Sequence, residues 1–173
     1  MPATGRTGLV IPVSPADALL ESVESRYPGS VRQGVPAHVS LLYPFVGTAE
    51  LGERDIEVLS ELFIGQKVIP VVFVECYRRG GFVALRPYPM EGLVTLTDKT
   101  RRHWPDVVPY EGQYGDVEPH LTVAMQTSEE TARTIEQEVT EQLPISAELR
   151  EAWLLAFEGR WRVRERFEFG GDL

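Results

Sequence analysis

Pro36-Ala-His-Val-Ser-Leu-Leu42 and Pro119-His-Leu-Thr-Val-Ala124 carry the same short phrase. Each has a His, one apolar residue, a small hydroxyl residue, then more apolar residues. Successive side chains on an extended strand alternate between faces, so residues two apart share a side. His38 and Ser40 therefore share one face of a strand, and His120 and Thr122 share one face of a second strand. Val39, Leu41, Leu121 and Val123 point the other way, into a core. An imidazole and a hydroxyl on one side of a strand, made twice, can supply an acid, a base and two oxyanion donors to one bound group.

The surrounding chain reads as two similar units. Residues 9–13 form a short apolar strand. Ser14 and Pro15 then give a helix start, with Leu19, Leu20 and Val23 at helical spacing and Pro28-Gly29 as the stop. Residues 35–45 are the first motif strand. Thr48 caps a helix with the stripe Leu51, Ile56, Leu59, Leu62 and Phe63. Residues 68–77 and 81–86 are strands joined by Arg78-Arg79-Gly80. The second half repeats the order: a helix over 89–104, a loop to 118, and the second motif strand over 117–125. A helix from Ser128 to about Gln142 follows, then closing strands at 145–157 and 160–169. Arg162, Arg164 and Arg166 read as a solvated strand face. This order predicts one α+β domain over 1–173, with two pseudo-symmetric lobes and both motif strands at a shared cleft.

Composition narrows the function classes. The chain has 173 residues, 43% hydrophobic and 25% charged, as in an ordinary globular domain. Its single cysteine, Cys76, rules out an internal disulfide framework and sits in an apolar run, which predicts an inert buried thiol. No apolar stretch has the length of a membrane span, and no signal peptide is visible, so a cytoplasmic protein is expected. The net charge of −9 argues against holding long nucleic acid. It leaves room for a local basic pocket for a nucleotide or a strand end.

The residue types suit one chemistry best. Histidine, with its unperturbed pKa of ~6.5, gives or takes a proton near neutrality. Two imidazoles facing each other across a phosphorus can protonate a leaving oxygen and deprotonate a water. Ser40 and Thr122 can donate to the phosphoryl oxygens as these gain charge. Ser40 as a nucleophile activated by His38 is disfavoured, because same-face strand neighbours lie about 6.5 Å apart and no Gly-x-Ser-x-Gly turn is present. A zinc site from His38, His103 and His120 lacks the usual short ligand spacings. His103 instead reads as a partner for helix-terminal carbonyls. Tyr110 and Tyr114, in the loop before His120, are candidates to stack on a base. Tyr43 and Phe45 share the parity of Leu41 and are expected in the core.

The paired His-x-Ser/Thr motifs, each with a nearby proline and half a chain apart, resemble those of the 2H phosphoesterase superfamily. Tyr114-Gly-Asp-Val-Glu-Pro-His-Leu-Thr-Val-Ala124 is especially similar to the second motif of the 2′-5′ RNA ligase and cyclic phosphodiesterase branch. The resemblance implies a two-lobed α+β fold, antiparallel sheet with outer helices around a central cleft. It implies a monomeric phosphodiesterase that needs no metal or other cofactor and acts on 2′,3′-cyclic phosphates of nucleotides or short RNA ends, with 2′-5′ ligation as the reverse reaction. His38 would be the proton donor, His120 the base, and Ser40 and Thr122 the phosphate-binding hydroxyls. A non-catalytic module binding a nucleotide or RNA end in the same cleft is the alternative from another class.

Overall fold

The computed structural model describes residues 2–109 and 117–171. The chain runs β1 Thr7–Pro12, a 3-10 turn Ser14–Ala16, α1 Asp17–Arg26, β2 His38–Leu42, α2 Glu53–Ile64, β3 Ile69–Arg79 and β4 Phe82–Tyr88. It continues with α3 Glu91–His103, β5 Leu121–Ala124, α4 Glu129–Thr140, β6 Ile145–Leu149, β7 Glu151–Phe157 and β8 Trp161–Glu168. The strands form one antiparallel sheet in the order β6-β3-β4-β5-β2-β1-β7-β8. The two motif strands are the central neighbours, and four strands lie in each half.

The halves are built from exchanged pieces. The β3–β4 hairpin, from the first half of the sequence, pairs with β5. The β7–β8 hairpin, from the second half, pairs with β1 beside β2. Helices cross over too: α1 packs on β5, and α3 packs on β2. The apolar strand face carries the core. Val39, Leu121, Val123, Leu9, Ile11 and Leu85 are all buried. Helix residues Leu19, Val23, Leu59, Phe63, Leu93, Leu96 and Ile135 join them in one cluster. That burial of apolar surface is the main stabilising term.

Three expectations need correction. Residues 145–157 are not one strand: β6 pairs with β3 at one edge of the sheet, and β7 pairs with β1 in the other half. The buried positions change parity across Arg150, from Ala147 and Leu149 to Ala152 and Leu154. Such a slip turns the apolar face over and ends the strand. Ser14 does not cap α1; it opens the 3-10 turn, and Ala16 is the residue before the helix. Thr48 does not cap α2. Residues 47–51 make their own turn, and the Asp55 carboxylate accepts from the Gly52 N–H at 2.9 Å. Ser128, by contrast, caps α4, accepting from the Thr131 N–H at 3.1 Å.

Candidate active site

The seam between the two half-sheets sets the site. Val39 is the register partner of Leu121 in the antiparallel pair β2–β5. Continuing that register by one residue each way puts His38 beside Thr122 and Ser40 beside His120. Each imidazole thus neighbours the other motif's hydroxyl, on the face opposite the core. The two histidines are diagonal neighbours, a separation of roughly 7–8 Å at the backbone. That leaves space for one small group between the rings.

Both rings are held the same way. His38 Nδ1 lies 2.8 Å from the carbonyl O of Pro36, and His120 Nδ1 lies 2.9 Å from the carbonyl O of Glu118. A carbonyl has no proton to give, so each Nδ1 is the donor and Nε2 is left for proton transfer. The approach to His38 is itself fixed. The Asp17 carboxylate at the start of α1 accepts from the Ala37 N–H at 2.9 Å, and the Ala37 carbonyl accepts from the Val13 N–H at 2.7 Å. On the other side, the Phe82 ring meets the His120 ring edge-on at 5.7 Å.

His38, Ser40, His120 and Thr122 all line one open cleft of about 810 Å³. Among the described residues Arg6, Arg32, Tyr43, Tyr77, Arg79 and Phe82 line it too, with Glu118 as the one acidic residue. The cleft is therefore locally basic within an acidic chain. Burial pushes the His38 imidazole down to about 4, and the nearby charges of Arg32 and His120 push the same way. Burial also lowers His120, with Arg79 adding to the effect. The hydrogen bonds to Pro36 and Glu118 oppose these shifts without cancelling them. In the free protein both rings are thus neutral at pH 7. A smaller cavity of about 310 Å³ adjoins the cleft. Ser40 and His120 line both, and Thr97, Asp98 and Arg101 of α3 close its far side.

Other sequence candidates fall elsewhere. Tyr110 and Tyr114 lie outside the described residues. His103 is exposed at the end of α3, its ring against Trp104. Among the described residues no group of three or more His, Cys, Asp or Glu is placed to hold a metal ion. Cys76 is held well above the usual thiol range, to about 12, first by burial and then by Glu136. That thiol is inert at neutral pH. Phe45 is in the core, edge-on to Trp104 at 4.8 Å. Tyr43 is not: it lies beyond the end of β2, where strand parity no longer holds, and it faces the cleft.

Two half-sheets that meet at a pair of His-x-Ser/Thr strands, with both imidazoles turned into one cleft, define a class of α+β proteins. A sequence profile described as the 2′-5′ RNA ligase superfamily matches residues 11–161, and the chain belongs to that superfamily, a group of 2H phosphoesterases. Comparison with curated protein sequences finds no match. Solved structures share the fold. Escherichia coli LigT complexed with 3′-AMP is 20% identical, covering 95% of this chain and 97% of its own, with a TM-score of 0.62. TT0787 of Thermus thermophilus is 15% identical, covering 96% and 98%, with a TM-score of 0.61. A structure described as a phosphoesterase is 19% identical, covering 95% and 98%, with a TM-score of 0.55. No helix among the described residues is long and apolar enough to cross a membrane.

Proposed function

We propose that this protein is a two-histidine phosphodiesterase that opens the 2′,3′-cyclic phosphate of a nucleotide or short RNA end to a 2′-phosphate. The observation that carries this reading is the matched pair His38 and His120. Both are fixed through Nδ1 to the carbonyl two residues before them, and both line the same basic cleft. Binding an anion needs no acid–base pair; opening a phosphodiester does. The LigT structure contains 3′-AMP, a ligand of the size and charge this cleft would take.

The phosphate sits between the rings, its free oxygens accepting from Ser40 and Thr122. His120 Nε2 takes a proton from a water as the water oxygen bonds to phosphorus. The P–O3′ bond breaks, and the 3′ oxygen takes a proton from His38 Nε2. One water is consumed and one 2′-phosphate is formed. The acid must first gain its proton. The negative charge of the bound phosphate raises both imidazoles and supplies that condition. With a 5′-hydroxyl attacking in place of water, the same steps make a 2′-5′ bond; run backwards, they cleave one. The proton transfers and the oxyanion contacts are all supplied by side chains of this chain.

The test is turnover of 2′,3′-cyclic mononucleotides and a short RNA with a cyclic end, followed with wild type, His38→Ala and His120→Ala. Each variant should lose roughly 10²–10⁴-fold in kcat, the usual share of a general acid or base. Nucleotide binding should survive in both. Equal turnover by wild type and variants would remove the two-histidine mechanism. Binding without any turnover by folded wild type would leave a nucleotide-binding module.

A further inference from the structure

Each imidazole has an arginine and a tyrosine beside it. Arg32, from the segment before β2, lies over the Tyr43 ring at 5.6 Å from its centroid. Arg79, at the end of β3, lies over the Tyr77 ring at 5.7 Å. Both pairs line the cleft. His38 feels the charge of Arg32, and His120 feels that of Arg79. The trio of His, Arg and Tyr thus stands on both sides of the seam. Among the described residues neither Arg32 nor Arg79 has a carboxylate partner.

Unpaired guanidinium groups beside imidazoles that must carry a proton oppose the chemistry unless an anion fills the cleft. A single phosphodiester brings one negative charge and already has two hydroxyls and an imidazolium to hold it. Two arginines exceed what it needs. Their positions also differ. Arg32 is half-buried, with Nη2 3.8 Å from the Met125 sulfur. Arg79 is exposed at the cleft rim, the register partner of Phe82. Phe82 stands between the rim and His120, touching the His120 ring. The strip His120, Phe82, Arg79 therefore runs outward from the scissile position, past an apolar wall, to an exposed cation.

We propose that the cleft holds two phosphates of one substrate: the scissile diester between His38 and His120, and the next phosphate of the chain at Arg79, with the intervening nucleoside against Phe82. The substrate class is then an oligonucleotide end, or a cyclic nucleotide that also carries a 5′-phosphate, and not a cyclic nucleotide bearing the scissile phosphate alone. A guanidinium suits this task, since it offers a forked set of donors to phosphate oxygens. The inference rests on the phosphodiesterase reading above.

The experiment compares kcat/KM for adenosine 2′,3′-cyclic phosphate with and without a 5′-phosphate, for wild type, Arg79→Gln and Arg79→Lys. The 5′-phosphate should raise kcat/KM at least tenfold in wild type. Arg79→Gln should shrink that preference to about twofold, and Arg79→Lys should keep part of it. A wild-type preference below tenfold, or one that Arg79→Gln leaves in place, overturns the second phosphate site. Calorimetric binding of adenosine 2′,5′-bisphosphate against adenosine 2′-phosphate asks the same question without turnover. No turnover of any cyclic phosphate, with a tenfold bisphosphate preference that Arg79→Gln abolishes, would sink the phosphodiesterase reading and leave this one standing. Equal binding of the two ligands by wild type would sink this one.

Discussion

His38 and His120 meet opposite demands from one environment. Both are lowered by burial and by a nearby guanidinium, His38 to about 4. Catalysis needs one ring protonated and the other neutral, so the active form of the free protein is most populated between their two values. Both lie below the ordinary ~6.5 of histidine. The pH profile of kcat/KM, which reports the free protein, should therefore peak below pH 6.5. The bound phosphate raises both rings, so the kcat profile should peak at higher pH than the kcat/KM profile. Profiles of both constants from pH 4 to 9 check this; a kcat/KM maximum at or above pH 7 would contradict it. The four motif residues were legible because strand parity is a local rule, and the motif repeats. Arg32, Tyr43, Tyr77 and Arg79 were not. Arg32 and Tyr43 lie outside strands, where no period applies. Tyr77 and Arg79 alternate correctly on β3, but only the pairing of β4 with β5 brings that face to His120.

At the scale of elements, helix α1 does two jobs. Its apolar residues pack the core, and its first residue, Asp17, holds the backbone just before His38. Asp17→Ala would leave the Ala37 N–H without its partner and remove an acidic group from the helix N-terminus. A loss of about 1–3 kcal/mol is expected. Asp17→Asn, which keeps an acceptor oxygen, should recover part of it. Urea unfolding measures the loss. Because the freed segment carries His38, kcat should fall further in Asp17→Ala than in Asp17→Asn; equal kcat values would show that the tether does not position the ring. Most elements could be read from the chain, since apolar spacing and Gly or Pro stops are strong here. Residues 145–157 were misread because no turn residue marks the break at Arg150. The only trace is the parity slip from Leu149 to Ala152, and a run this apolar hides it. The helix starts at Ser14 and Thr48 failed for a different reason. A cap residue is neither necessary nor sufficient for a helix start: α1 and α3 begin after Ala16 and Met90 with no side-chain cap, and at Ser14 and Thr48 the neighbouring turns take up the backbone differently.

At the scale of the molecule, the two half-sheets are not two halves of the chain. Strands β3, β4, β5 and β6 form one half from a continuous stretch. Strands β1 and β2 join β7 and β8 from the far end of the sequence to form the other. With α1 on β5 and α3 on β2, neither half can loosen without exposing the other's core. One cooperative transition is expected. The three tryptophans allow a direct check: Trp153 and Trp161 lie in β7 and β8, and Trp104 packs on Phe45. Their fluorescence reports on one half, while far-ultraviolet circular dichroism reports on both. The two urea transitions should coincide; separated midpoints would mean that the halves unfold independently. The same exchange governs how the chain comes to life during synthesis. The stretch from β3 to β6 can close its own sheet as soon as it leaves the ribosome. Strand β1 is made earlier and keeps a bare edge until β7 emerges, a pairing of large sequence separation. His38 and His120 are both present before then, but the sheet that frames them is still open, so a nascent chain carries the residues of the cleft before the half-sheet on the His38 side is complete.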